Sequence, residues 1–403
     1  MAGADRTGGS YSVFDLWKSV ASPWWRLRML ISTGNRNTGS CRNIHVMKPA
    51  LPLHTHPIFL IGAGGIVNSA HLPAYKLAGF SVEGIFDLST EKAAATAAGF
   101  QIPRVFSSLD EIIQAAPDGV VYDVAVPGSA MIAVLEQLPH GARVLLQKPM
   151  GENLEQAAQI LALARQKKML AAVNFQLRYA PFILAAKEII NKGEIGTLND
   201  VDINVNVYTP WHLWDFLYTA ERVEILYHSI HYIDLVRHLL GNPDAIFAKT
   251  MKHPAMAQLA SVRSNIILDY GDMIRANIST NHCHNFGTEL QHSYIKLEGD
   301  KGAIKIDFGA LVNYPHGVPD SFKYTVTNDD GYTEWKSLPM DGSWFPHAFI
   351  GSMAEVMRAA ETGGLPDNSV EDCIHTMACV EAAYAASKQG GVPLSNFQFN
   401  RND

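Results

Sequence analysis

Pro57-Ile58-Phe59-Leu60-Ile61 is an unbroken apolar run that ends directly in Gly62-Ala63-Gly64-Gly65-Ile66-Val67, and a helical pattern follows from about Val67 to Ala78. A short apolar run bounded by glycine fits a strand buried on both faces of a parallel sheet. Strand, glycine turn and helix place backbone N–H groups and a helix N-terminus where a pyrophosphate can sit. Gly62 permits the tight turn, and Gly64 lets a phosphate approach the backbone. Gly65, Ile66 and Val67 lie in the same turn and complete the candidate cofactor contacts. Val67 stands where a third glycine is usual, so the fingerprint is incomplete. The next strand, Ser81–Phe86, ends in Asp87. An acid about twenty residues beyond the glycines can accept hydrogen bonds from ribose hydroxyls. Leu88-Ser89 follow, with no arginine to pair a 2′-phosphate, which favours NAD over NADP. Asp87 can also be read as the N-cap of a helix over Thr90–Ala98.

The alternation continues. Leu109–Ala115 reads as helix, Gly119–Val126 as a buried strand ending at Pro127, Ala130–Leu138 as helix and Val144–Leu146 as strand. Repeated βα units imply a parallel sheet that binds ligands at the carboxyl ends of its strands. Val126-Pro127 and Gln147-Lys148-Pro149 both fall at such ends. Lys148 sits between a buried strand and the helical pattern Glu152–Lys168. It is either a solvated loop lysine or a cation placed in the cofactor crevice.

With 403 residues, the chain exceeds a single small core, and two domains are expected. Residues 51–175 form the α/β domain and 176–403 an α+β domain. Residues 1–50 stand outside the core. Of these, 1–46 read as a non-functional extension from an upstream start, although several arginines and few acids would also suit a transit peptide. Val201–Val207 alternates with period two, as do Ser264–Leu268 and, with polar interruptions, Met273–Thr280. Ser293–Leu297 and Ala303–Asp307 flank Glu298–Gly302, which reads as a hairpin turn. Helices at about Phe349–Ala360 and Val370–Gln389 close the chain. A net charge of −7 argues against a nucleic-acid partner, and no apolar run is long enough to span a membrane. The four cysteines form no CxxC pair, which fits a reduced cytoplasmic compartment.

The chain resembles the glucose-fructose oxidoreductase / inositol dehydrogenase / MocA family of NAD(P)-dependent oxidoreductases, from about residue 55 to the C-terminus. The resemblance rests on the glycine turn running into His71-Leu72-Pro73-Ala74, on Val126-Pro127, and on Gln147-Lys148-Pro149 where the family usually has Glu-Lys-Pro. It rests also on Asn174-Phe175-Gln176-Leu177-Arg178-Tyr179-Ala180-Pro181 and on His231-Tyr232-Ile233-Asp234-Leu235. It implies an N-terminal Rossmann fold, a doubly wound parallel sheet. It also implies a C-terminal open antiparallel sheet, with helices on one face, that serves as a homodimer or homotetramer surface. The C-terminal helices then pack back on the Rossmann domain. Gln147, Lys148 and Asn174 join the cofactor contacts by this resemblance, and Lys148 and His231 take the proton-handling roles. The implied function is NAD-dependent hydride transfer with a secondary hydroxyl of a sugar, polyol or sugar acid. Alternatives are transient oxidation by bound NAD within an isomerase or glycosidase, and a non-catalytic sugar or nucleotide binder.

Two departures mark the site. Tyr227 stands where the family commonly has Asp, and Ser229 where it has Gly, so Tyr227 or His228 can contact the reacting hydroxyl instead. Gln147 replaces an acid, which should lower the lysine pKa. Asp234, one helical turn from His231, either orients the ring or serves packing or a salt bridge. Arg178 either pairs a substrate carboxylate or anchors a loop. Tyr208, Trp211, His212 and Trp214 are either a sugar-stacking wall or a core or interface cluster. Trp344-Phe345-Pro346-His347 is a candidate closure of the pocket. The spacing His228-x-x-His231 admits a metal reading, but no carboxylate or thiol set accompanies it, so no metal is expected.

Overall fold

The computed structural model describes residues 48–392 except 329 and 332. The expectation for residues 1–46 therefore lies outside the described residues.

The first sheet contains β1 (Ile58–Ile61), β2 (Val82–Phe86), β3 (Val105–Phe106), β4 (Val121–Val124), β5 (Arg143–Leu146) and β6 (Leu170–Val173). Their order is β3-β2-β1-β4-β5-β6, with every pairing parallel. The order reverses between β1 and β4, which opens a crevice at the carboxyl ends of those strands. Every residue of β1 and β4 is buried, as a strand covered on both faces requires. Helix Leu154–Gln166 is shorter than the helical pattern in the sequence, because Asn153 caps it by accepting from Gln156 N–H at 2.9 Å.

The second sheet contains β7 (Leu198–Asn206), β8 (Ala245–Met251), β9 (Arg263–Asp269), β10 (Arg275–Asn281), β11 (His292–Gly299), β12 (Gly302–Asp307), β13 (Ser321–Val326) and β14 (Lys336–Ser337). Their order is β14-β13-β12-β11-β7-β10-β9-β8. The sheet is mixed rather than purely antiparallel, because β7 and β10 pair in parallel at its centre. Long connections, including helix Ile230–Leu240, separate these two strands in the chain and make a parallel neighbour possible. β7 alternates as its sequence predicts. Val201, Ile203 and Val205 are buried, while Asp202, Asn204 and Asn206 face the other side.

The C-terminal helices return to the first sheet. Phe349, Met353, Val356 and Met357 of helix His347–Thr362 pack into the core formed by Ile58, Leu60, Val121 and Leu145. Asn368 donates from Nδ2 to the Val173 carbonyl and accepts at its own carbonyl from Val173 N–H, both at 2.8 Å.

A buried ionic network ties these parts together and decides between the two roles open to Arg178 and to Asp234. Arg178, 1% exposed, donates to Asp234 (2.7 and 2.5 Å), Asp372 (2.6 Å) and the Asp367 carbonyl (2.7 Å). Arg237 joins through Thr376 (2.7 Å) and Asp372 (3.2 Å), and Thr376 donates to Asp234 at 2.8 Å. Arg178 is therefore a structural anchor and has no free fork for a substrate carboxylate. Asp234 is spent on Arg178 and does not orient His231. Asp234, Asp372 and Cys373 form a close set of metal-type ligands, but the guanidinium of Arg178 already supplies the positive charge there. No helix among the described residues is long and apolar enough to cross a membrane.

Candidate active site

The strand tips at the crevice form a stair. Gly62 N–H donates to the Phe86 carbonyl (2.7 Å), Ala125 to Ile61 (2.8 Å), Gln147 to Val124 (2.9 Å) and Asn174 to Leu146 (2.7 Å). Each tip is fixed by sheet register rather than by the loop that follows it.

Gly62 has φ 112°, and a Cβ there would collide with the Ala125 carbonyl, so only glycine fits. Gly64 and Gly65 are exposed, with open space where side chains would project, and Ile66 beside them is half-buried. Asn68 closes the turn by donating to the carbonyls of Ala63 (3.2 Å) and Gly64 (3.0 Å). The expected helix begins as a π turn, Val67–His71, before the α-helix Leu72–Ala78. Val67 does not face the crevice. Its side chain lies in the core, and its N–H is used by the Gly64 carbonyl at 3.1 Å. Asp87 accepts from Ala63 N–H (2.7 Å) and Ser89 N–H (2.8 Å). It does not cap the helix Thr90–Phe100. Ser89 does, accepting from Lys92 N–H at 3.3 Å. A fixed carboxylate beside an open glycine turn fits the ribose and pyrophosphate of a dinucleotide. Val126, half-buried, and Pro127, exposed, extend the crevice rim from β4.

Lys148 leaves the tip of β5, and its Nζ donates to the Tyr227 carbonyl at 2.8 Å. Tyr227 lies in a second π turn, Ile225–Ser229, where Ile230 N–H bonds back to Ile225. Such turns break the regular α-helical ladder and recur at functional sites. The turn runs straight into helix Ile230–Leu240, which carries His231. Burial lowers the Lys148 pKa to about 8. The lowering expected from Gln147 is thus present, but desolvation causes it. Gln147 does not touch Nζ, and its Oε1 accepts from the Lys148 backbone N–H at 2.8 Å.

Burial, and then the charge of Lys148, holds His231 well below the usual histidine range. Its ring stands edge-on to Trp344 (5.5 Å) and Phe175 (6.4 Å), and its Nδ1 has no protein partner. Trp344, 2% exposed, is a wall of the site rather than a flap over it. Burial, then His282, Lys148 and His231, holds His228 low as well. The His228 ring lies 4.4 Å from that of His282 and 4.9 Å from that of Trp211.

Behind His228 is a fully buried carboxylate. Glu224 accepts from Ser229 Oγ (2.7 Å) and Thr280 Oγ1 (2.9 Å) and lies 3.6 Å from His282 Nε2. Burial pushes the Glu224 pKa up, but His282 and the neighbouring hydroxyls outweigh it and bring it below the ordinary value. Trp211 is 1% exposed in a core cluster with Leu217, Val223 and Leu259, and it donates to the His282 carbonyl at 3.3 Å. His212 is exposed and stands apart from this group. The Tyr227 phenol donates to Glu152 (3.0 and 3.2 Å) rather than facing Lys148, and burial together with that carboxylate raises its pKa.

Residues 57–175 match the description "Oxidoreductase family, NAD-binding Rossmann fold", and residues 187–395 match "Oxidoreductase family, C-terminal alpha/beta domain", both of the Gfo/Idh/MocA group. The chain belongs to the Gfo/Idh/MocA oxidoreductase family. A 1,5-anhydro-D-fructose reductase of Ensifer adhaerens is 25% identical over 82% of this chain and 96% of its own length. A D-apiose dehydrogenase of Paraburkholderia graminis is 22% identical over 82% and 87%. Among solved structures, an Agrobacterium radiobacter oxidoreductase in complex with NAD+, L-tartaric acid and magnesium superposes with a TM-score of 0.70. It is 21% identical and covers 86% of this chain and 100% of its own. A levoglucosan dehydrogenase complexed with NADH and levoglucosan gives a TM-score of 0.68 at 17% identity, covering 83% and 98%.

Within this Gfo/Idh/MocA oxidoreductase, the structure brings Lys148, His228 and His231 together and sets Gly62, Gly64, Gly65 and Asp87 around one turn. It turns Val67, Arg178 and the side chains of Gln147 and Asn174 inward. Sequence reasoning missed Glu152, Glu224, His71 and Asp123. Glu224 and Asp123 are acids within otherwise apolar stretches, and that alone was a usable signal, since a buried carboxylate must be paired or hydrogen-bonded.

Proposed function

We propose that the protein is an NAD-dependent dehydrogenase acting on a secondary hydroxyl of a sugar, polyol or related compound, with Lys148 and His231 handling the proton. One observation carries this reading. A lysine from the cofactor sheet is held 2.8 Å from the carbonyl of the turn that leads into His231, beside an open glycine turn that fits a dinucleotide.

Bound NAD supplies the hydride acceptor. Gly62 holds the turn tight, Gly64 and Gly65 would leave room for the pyrophosphate, and Asp87 would accept from the adenosine ribose hydroxyls. A carboxylate at 87 with no adjacent arginine disfavours a 2′-phosphate, so NADP is the poorer fit. Lys148, neutral above its lowered pKa, takes the hydroxyl proton at Nζ as the carbinol carbon gives up hydride. The ammonium so formed favours alkoxide character in the transition state. The unpartnered Nδ1 of His231 offers a second hydrogen-bonding atom to the substrate. With Arg178 committed to Asp234 and Asp372, a neutral sugar or polyol fits better than a sugar acid.

The reading extends to a cytoplasmic homodimer or homotetramer. The outer face of the second sheet exposes Phe247 and Ile267, and the buried cysteines Cys283, Cys373 and Cys379 are free thiols. The direct test is to follow NADH formation over a carbohydrate panel with wild type and Lys148→Ala. Loss of turnover with cofactor binding retained is the expected result. Full turnover in Lys148→Ala would reject the assignment.

A further inference from the structure

Beneath Lys148 lies a buried polar chain that the proposed reaction does not use directly. His71 and Asp123 are 0% exposed, Asn174 is 0% and Gln147 is 8%. Their hydrogen-bond roles follow from one backbone donor. The Lys148 N–H donates to Gln147 at 2.8 Å, so that atom of the amide must be the oxygen. The NH2 of Gln147 therefore faces His71 Nε2, at 3.3 Å, and Asn174 Nδ2 approaches the same nitrogen at 3.2 Å. Two amide donors require an acceptor, so His71 carries its hydrogen on Nδ1. That hydrogen goes to Asp123 Oδ2 at 2.7 Å, where the Tyr75 hydroxyl also donates at 2.7 Å.

We infer that Asp123 and His71 are positioning residues: they hold the Gln147 amide in its one workable orientation, and Gln147 in turn fixes the Lys148 peptide while placing no charge beside the ammonium. This rests on the reading of Lys148 as the proton-handling group. A carboxylate at 147 would meet the lone pair of His71 Nε2, and the pattern would survive only if His71 took a second proton. The groups that interact with the Lys148 ammonium are the Tyr227 carbonyl, at 2.8 Å, and His228 and His231 from the second domain, while the neutral amide of Gln147 is its neighbour in the chain without touching Nζ. A glutamate at 147 would add the only carboxylate among them and favour the protonated lysine.

Two measurements on the full-length protein saturated with NAD test this. The first is the pH midpoint of Lys148 labelling by an amine-reactive reagent, read by peptide mass spectrometry, in wild type and Gln147→Glu. The midpoint should rise by about one unit or more in the variant, an effect of the size one nearby charge produces. An unchanged midpoint would overturn the inference. Labelling needs no turnover, so this outcome stands apart from any failure of Lys148 as the catalytic group. The second is the His71 tautomer in the unmodified protein, read by long-range 1H–15N correlation. Hydrogen on Nδ1 is expected, and hydrogen on Nε2 would overturn the relay even if Gln147→Glu failed to fold.

Discussion

The two walls of the crevice solve different problems. On the Rossmann wall, backbone atoms fix the strand tips, and the polar side chains behind them satisfy one another. The buried atoms there without a protein partner are acceptors, Asp123 Oδ1 and Asn174 Oδ1. On the opposite wall, His231 Nδ1, Glu224 Oε2 and the indole Nε1 of Trp344 lack a hydrogen-bond partner in the protein, and His282 Nε2 has only the Glu224 carboxylate at 3.6 Å. An indole N–H can only donate, and a buried donor left unmade costs roughly 1–3 kcal/mol. The polar side chains behind the first wall thus leave two acceptors but no donor unmade, as suits a cofactor site held mainly by backbone. The second wall holds unmade hydrogen bonds, which suits a polyhydroxyl ligand that differs from one relative to another.

The largest expected effect breaks the contact between the walls. Lys148→Met should lower kcat by about 10²–10⁴-fold and yet raise stability near neutral pH. Burial sets the folded pKa at about 8, below the 10.5 of the free side chain. Between those values the unfolded chain binds more protons, so wild-type stability should rise with pH across that window. The cost of the buried ammonium is fully present below it. Its removal should stabilise the variant by roughly 1–3 kcal/mol at pH 7, with the gain shrinking towards pH 10. Thermal melts at both pH values check this, and a Met variant less stable at each would show that Lys148 is held by more than the Tyr227 carbonyl.

The Rossmann wall was legible in the sequence because its residues are fixed locally. Gly62 answers to its own φ, Asp87 to the end of β2, and Lys148 to the end of β5. The second wall was legible only where a motif carried it, as with His231. Glu224 and His282 are 58 positions apart in the chain and meet through the packing of a π turn against β10, which no periodicity announces. Arg178 shows the same limit from the other side. The residue type admitted two roles, and only the return of helix Val370–Gln389 with Asp372 and Thr376 decided between them. The parallel pairing of β7 with β10 was hidden for a like reason, since alternation in sequence reports a half-buried strand and not its neighbour's direction.

Next in size is the anchor that fastens the parts together. Arg178→Leu leaves Asp234 and Asp372 without their main cation and should destabilise the fold by about 3–5 kcal/mol. Chemical denaturation measures this. A rise in KM with stability unchanged would instead restore Arg178 to the substrate site.

A smaller effect should separate packing from binding on the second wall. Trp344→Phe keeps an aromatic ring against His231 and removes the unpartnered N–H. Stability should fall by no more than about 1 kcal/mol, since the loss of ring area is offset by relief of the unmade bond. KM for the substrate should rise several-fold while NAD affinity is unchanged. An unaltered KM would mean that the indole N–H faces no substrate, and the contrast between the walls would then rest on the imidazoles and Glu224.

In the glycine turn, two positions separated by one residue should respond in opposite ways. Gly62→Ala forces a side chain into φ 112° and against the Ala125 carbonyl, so it should destabilise by about 1–3 kcal/mol. At Gly64, a Cβ meets nothing within 4 Å, and its φ lies outside the left-handed range. Gly64→Ala should therefore leave stability within about 1 kcal/mol of wild type, or raise it slightly by restricting the unfolded chain. Its cost should appear in the ligand. The new methyl group projects into the open space that the pyrophosphate requires, and NAD affinity should fall by about tenfold or more, equivalent to ~1.4 kcal/mol. Titration of cofactor fluorescence against each variant, beside its melting temperature, separates the two roles. If Gly64→Ala bound NAD as tightly as wild type, the phosphate would have to approach along Gly65 instead, and the open side of the turn would be one residue later in the chain.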